Sequence, residues 1–192
     1  MIINPMSMSR DHGDVFSNNL HNGIIYLVGE INDDLATTVI AQMFDAVENR
    51  STLDDDNNSI RLYINSPGGS MTAGLAIYDT MRSLPMPVDT ICMGMAASMA
   101  AVIFAGGRER SILPHAEVMI HQPSGGTEGT ATDIIIAADH IKKRKQDVIE
   151  ILSERTGNTP EKVAQDIQID CWMNAEEAVK YGIADRIIEP TA

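Results

Sequence analysis

Gly94-Met95-Ala96-Ala97-Ser98-Met99-Ala100-Ala101 is the stretch from which the rest of the chain can be ordered. A run with strand character, 88–93, delivers the chain to Gly94, and a run with helix character, 98–106, carries it away. A strand feeding a helix through small residues is the unit of an α/β fold. Ser98 stands where the helix begins, and two readings of it are open. Ser is a preferred residue at a helix start, where a local hydrogen bond is all it need make. A Ser among Ala, Gly and Met can also be a nucleophile. Its small neighbours admit a substrate backbone, and the helix N-terminus favours developing negative charge.

Upstream, the same unit repeats. A strand over 60–64 runs into Asn65-Ser66-Pro67-Gly68-Gly69-Ser70, and a helix follows over 72–84 until Pro85 and Pro87 break it. A Gly-Gly turn between strand and helix lets backbone N–H groups approach a ligand. The turn lacks the Lys-Ser/Thr of a P-loop and the spacing of a dinucleotide fingerprint, which argues against phosphate binding. Earlier still, 24–28 reads as a buried strand ended by Gly29. Asn32-Asp33-Asp34 opens a helix with Leu35, Val39, Met43 and Val47 on one stripe. The acidic loop 53–59 reads as solvated, and residues 1–23 as a polar N-terminal arm, mobile or ordered by a partner.

Downstream, the polar Arg108-Glu109-Arg110 turns into Ser111-Ile112-Leu113, Pro114-His115 punctuates, and 117–121 has strand character, ending at His121 before Gln122-Pro123. The Gly-rich segment 124–129 is extended or looped. Thr132-Asp133 caps a long helix to about 156, with Ile134, Ala138, Ile141, Val148 and Leu152 near one stripe and Gly157 as its stop. Its Lys142-Lys143-Arg144-Lys145 run reads as a solvated face. Thr159-Pro160 opens a shorter helix that fades near Ile167. Asn174 and Glu177 form a capping box for a helix ending at Gly182, and 183–188 supplies a last strand. Strands alternate with helices throughout.

The chain's 192 residues suit one domain with a sizeable core. A formal net charge of −13 argues against non-specific nucleic-acid binding, which needs a basic face. No apolar run approaches the roughly 20 residues of a membrane span, so no membrane partner is expected. The polar N-terminus lacks the layout of a secretion signal. Cys92 and Cys171, far apart in sequence, suggest a reducing compartment, and a cytoplasmic location is expected. Two Cys and five scattered His offer no metal-ligand spacing.

If Ser98 is a nucleophile it needs a base and an acid to orient that base. His121 is the best placed, at the C-terminal end of a strand, where βα sheets gather their reactive groups. His12 and His21 lie in the arm, His140 lies in the long helix, and His115 in its turn is the nearest competitor. Asp170 reads as lying at a helix-to-strand junction in an apolar frame of Ile167, Ile169 and Trp172, where mere solvation explains a carboxylate less well than in the acidic loop. A satisfied core His and a capping Asp remain open alternatives to a Ser98–His121–Asp170 triad.

Taken as a set, four motifs carry a family resemblance. Ile64-Asn-Ser-Pro-Gly-Gly-Ser70 with Thr72-Ala-Gly74 comes first, then Gly94-Met-Ala-Ala-Ser-Met99, then Met119-Ile-His-Gln-Pro123. Last comes Asp170 before Asn174-Ala-Glu-Glu-Ala178 and Tyr181-Gly182. In this order, from about Asp14 to Ile188, the chain closely resembles ClpP, the proteolytic subunit family of the ATP-dependent Clp protease. The resemblance implies a crotonase-like fold of repeated ββα units with a protruding strand-helix handle at about 124–156. The arm would be 1–23 and the peptidase domain 24–192. It implies a serine endopeptidase with Ser98 as nucleophile, His121 as general base and Asp170 as orienting acid. The backbone N–H groups of Gly69 and Met99 would form the oxyanion hole. It further implies heptameric rings stacked in pairs, which enclose the active sites. A hexameric AAA+ Clp ATPase would unfold and feed protein substrates, spending the ATP. No cofactor or metal is expected in the chain itself. Ala96, two before Ser98, breaks the G-x-S-x-G elbow, and the Ser, His, Asp order also counts against an α/β-hydrolase. A crotonase-type acyl-CoA enzyme would share the fold but not explain the three residues.

The chain also departs from that family. Its arm is shorter, with Ser9-Arg10-Asp11-His12-Gly13 in place of an Arg-rich turn, and Asn18-Asn19 stands where Arg is usual. The loop 53–59 is an insertion, the span from Ser98 to His121 is slightly shorter than is typical, and His115 replaces a common Asn. Gln168-Ile169 replaces an acidic residue and an Arg that link rings by ion pairs in many members. Weaker or differently controlled ring stacking is therefore expected, with a second ClpP isoform as a candidate partner. A catalytically weak or silent structural subunit in mixed rings is the alternative reading.

Overall fold

A computed structural model describes residues 15–50 and 59–189. The arm's turn at 9–13 and the acidic stretch 54–58 lie outside the described residues. In chain order the elements are α1 (Val15–His21), β1 (Ile24–Val28), α2 (Asp33–Arg50), β2 (Ile60–Ser66), α3 (Met71–Ser83), β3 (Val88–Ala97) and α4 (Met99–Ala105). They continue with β4 (Arg110–Ile112), β5 (Glu117–Ile120), α5 (Ala131–Thr156), α6 (Pro160–Asp166), β6 (Cys171–Met173), α7 (Ala175–Tyr181) and β7 (Arg186–Ile187).

β3 is the spine. Its first half is almost wholly buried, as expected of an apolar strand covered on both faces. β2 lies parallel to it on one side, and β1 lies parallel to β2. On its other side β3 has two successive partners. Thr90–Cys92 pair with β4, which pairs onward with β7, whereas Met95–Ala97 pair with β5. β5 then takes β6 as an antiparallel edge. All described strands thus belong to one branched sheet.

β3 runs four residues beyond the end read from sequence. Gly94 looks like a strand stop, yet the register against β2 jumps between Ile64 and Ser66, where Cys92 and Ala96 are the partners. The extra residues of β3 bulge over Asn65, whose side-chain oxygen accepts the Met95 N–H at 3.2 Å. After the bulge, pairing resumes and carries the chain straight to Ser98.

α4 is apolar on every side and every one of its residues is buried. It packs against β3, α3 and α5 at the centre of the core. Arg155 holds its far end, donating to Ala105 O at 2.8 Å and to Gly107 O at 2.5 Å. Ser98 therefore sits on a fixed junction between a buried strand and a buried helix.

Three local expectations change. Residues 15–21, read as part of an arm mobile or ordered by a partner, form α1, with Phe16 edge-on to Tyr26 at 5.9 Å and Asn19 donating to the Tyr26 hydroxyl at 3.0 Å. The cap of α5 is Thr130, in a reciprocal box with Asp133, rather than Thr132. The apolar stripe of α5 is buried only at Val148, Ile149 and Leu152, while Ile134, Ile135 and Ile136 are exposed. The first half of this helix is exposed over most of its surface. Residues 125–129, the expected extended part of the handle, form neither helix nor strand.

Candidate active site

Ser98 is the only non-glycine residue with positive φ among the described residues, at φ 56° and ψ −123°. An L side chain there is strained by about 1–3 kcal/mol. Its neighbours impose this geometry. The Ser98 N–H donates to Met119 O at 2.8 Å, Ser98 O accepts from Ala101 N–H at 3.0 Å, and strand and helix are both buried. The Ser98 hydroxyl makes no cap bond to α4, so the simple helix-start reading does not account for it.

The hydroxyl instead meets His121, whose Nε2 lies 2.8 Å from Ser98 Oγ. Sheet register brings them together. Ala97 pairs with Met119, so the residue after Ala97 and the residue after Ile120 emerge at the same end of the sheet. His121 Nδ1 in turn lies 3.1 Å from Asp170 Oδ1. Here too a ladder does the positioning. Met119 faces Trp172 and Ile120 faces Cys171 across β5 and β6, which sets Asp170 opposite His121. The helix-to-strand junction expected at Asp170 lies between α6 and β6. The apolar frame expected around Asp170 is only partly there: Ile167 is buried, but Ile169 is 77% exposed and the carboxylate itself is largely open to water.

The other histidines described are elsewhere. His115 is exposed in the turn before β5 and lines a shallow surface with Met93, Leu113 and Ile188. His140 is exposed on α5, and His21 ends α1. Neither cysteine competes as a nucleophile: burial pushes the Cys92 thiol up to about 11 and, to a smaller extent, raises that of Cys171.

The Gly68-Gly69 turn lies directly on Ser98. A Cβ at Gly68 would stand 2.6 Å from Ala97 O, 2.7 Å from Ser98 Cβ and 2.9 Å from Met99 N. The turn is held from behind, since Ile31 N–H donates to Gly68 O and Ser70 N–H to Ile31 O, both at 2.8 Å. That bridge uses the groups of Gly68 and Ser70 and leaves the Gly69 N–H outside it. Met99 is the first residue of α4, so its N–H has no earlier helical carbonyl to reach. Beside Ser98 and His121 opens an apolar pocket lined by Met71, Met99, Val102, Ile120, Val148 and Leu152.

Sequence reasoning missed Gln122. Its N–H donates to Ile167 O at 2.7 Å and its Nε2 to Gln168 O at 3.1 Å, while its Oε1 accepts from Lys145 Nζ at 2.8 Å. Its place directly after His121 was the available hint.

Because the strain at Ser98 belongs to the Cβ, Ser98→Gly should be more stable than Ser98→Ala. Gly adopts this φ without penalty, and the gain of about 1 kcal/mol corresponds to a melting temperature about 2–4 °C higher for a chain of this length. Calorimetry of the two variants side by side checks it; equal melting temperatures would mean the junction is relaxed.

The family model described as Clp protease matches residues 7–191, nearly the whole chain. The chain belongs to the Clp protease family. It is therefore a ClpP-type protease in a crotonase-like fold. Among the described residues, no helix is long and apolar enough to cross a membrane.

Proposed function

We propose that this Clp protease family member is an active serine endopeptidase with Ser98 as nucleophile, His121 as general base and Asp170 as orienting acid. The observation that carries this reading is the unbroken contact chain from Asp170 through His121 to a strained Ser98. Ser98 Oγ attacks the peptide carbonyl carbon as His121 Nε2 takes its proton. Asp170 accepts from His121 Nδ1–H, which fixes the tautomer and stabilises the imidazolium. The backbone N–H groups of Gly69 and Met99 hold the oxyanion, each typically contributing about 3 kcal/mol in the transition state. His121 gives its proton to the leaving amine, and water repeats the sequence to release the acid and restore the hydroxyl. Base, acid and oxyanion donors all come from the chain, so the reaction calls for no metal or organic cofactor.

The substrate lies extended across the Gly-Gly turn, and the apolar pocket takes the side chain before the cut. In a peptide series varied only at that residue, Leu or Met should be cleaved about 10- to 100-fold faster than Asp, the worth of burying one such side chain. Equal rates would remove the pocket from the mechanism. We further assign 24–192 as the peptidase domain, 1–23 as an axial arm and 124–156 as the handle. On this reading the chain works in the cytoplasm as paired heptameric rings, and an AAA+ Clp ATPase supplies unfolded protein.

One observation favours a second reading. Ile169, highly exposed beside Asp170, stands with Gln168 where many relatives carry an ion pair between rings. A catalytically weak or silent structural subunit of mixed rings would tolerate that loss. Fluorophosphonate labelling separates the two: an adduct on Ser98 in the assembled particle supports the peptidase, and none supports the structural subunit.

A further inference from the structure

We infer that Lys145 is a positioning residue for the peptidase reaction, acting through Gln122 to hold His121 and Asp170 in register. The inference rests on the reading of Ser98, His121 and Asp170 as a triad.

Asp170 cannot hold itself in place. Its side chain is 61% exposed, and it belongs to the short turn between the end of α6 at Asp166 and the start of β6 at Cys171. Water competes for such a carboxylate, so its distance to His121 depends on where the turn's backbone is fixed. β6 fixes one side of the turn. Gln122 fixes the other, its backbone N–H on Ile167 O and its side-chain amide on Gln168 O. Because Gln122 directly follows His121, one residue ties the base's strand to the acid's turn.

The side-chain half of this clamp depends on which way the Gln122 amide faces. The terminal torsion of Gln is soft, and its oxygen and nitrogen are nearly the same size. A lysine ammonium carries donors only, so the Lys145 Nζ contact at 2.8 Å selects the amide oxygen and turns the NH₂ toward Gln168 O. The bond is charge-assisted and half-buried, both of which strengthen it. Lys145 stands one turn before Val148, the first buried residue of α5. It thus links α5, through Gln122, to the turn that carries Asp170.

The test uses the full chain and compares the wild type with Lys145→Met, Lys145→Arg and Gln122→Glu. The readouts are the fluorophosphonate labelling rate of Ser98 and peptide kcat and KM, alongside melting temperature. Lys145→Met should lower labelling and kcat about 10- to 100-fold, the cost of a small misplacement of reacting groups, with KM and melting temperature little changed. Lys145→Arg should recover most of the loss. Gln122→Glu keeps an acceptor for Lys145 but removes the donor to Gln168 O, and it should fall as far as Lys145→Met. Wild-type labelling with an undiminished Lys145→Met rate overturns the positioning role alone. A loss in Lys145→Met that only mirrors a lower melting temperature, unrescued by Arg, overturns it as well. No labelling of the wild type overturns the peptidase reading itself.

Discussion

Replacing Ser98 with Ala is expected to lower peptide hydrolysis by about 10⁴- to 10⁶-fold, because groups that act as one unit fail together when one is lost. His121→Ala should lose about as much. The Ser98→Ala, His121→Ala pair should lose little more than either alone, since neither residue retains its role without the other. Asp170→Asn keeps the shape but can present an amide donor to His121 Nδ1, favouring the wrong tautomer; a loss of about 10⁴-fold is expected. Turnover of a fluorogenic peptide by each purified variant measures these ratios. Losses that multiply in the double variant would mean that the 2.8 Å contact between Ser98 and His121 does not couple them.

The second large effect is expected at Gly68. An Ala there carries two burdens. Its φ of +92° disfavours any side chain, and its Cβ would lie well inside contact distance of Ala97 O, Ser98 Cβ and Met99 N. None of these atoms can yield easily, because β3 and α4 are buried on either side of Ser98. The turn must therefore move, and it carries the Gly69 N–H with it. Loss of one such donor costs about 10²- to 10³-fold in turnover. Gly29 provides the control: its φ is +90°, but an added Cβ meets nothing within 4 Å. Gly29→Ala should cost stability of about 1 kcal/mol, the conformational penalty alone, and leave turnover near wild type. Parallel kinetics and denaturation of the two variants check this. Equal losses of turnover would show that the backbone angle, rather than contact with Ser98, explains the need for glycine.

Much of this arrangement was legible in the sequence because its signals are local. β1 is a bare apolar run closed by Gly29, and α7 announces itself through the Asn174–Glu177 box, so both lie where they were expected. Ser98, His121 and Asp170 were legible as a motif set with a family resemblance. What was hidden depends on pairing. The continuation of β3 past Gly94 requires the bulge over Asn65, and a glycine inside an apolar run reads equally well as a strand end. A strand after Asp170 could be read, but not that β5 is its antiparallel partner, and that ladder puts Asp170 opposite His121. The positive φ of Ser98 follows from two buried elements meeting at a fixed angle. Gln122 and Lys145 are 23 positions apart, and nothing in either residue's neighbourhood names the other.

The central claim is that Ser98 is a nucleophile held in working order by His121 and Asp170. The most direct measurement is mass spectrometry of the assembled full chain after treatment with a fluorophosphonate. The expected result is one adduct, mapped to Ser98, that is lost in His121→Ala and much slowed in Asp170→Asn. An unmodified Ser98 in a correctly assembled particle would contradict the claim, as would labelling of Ser98 that is indifferent to His121.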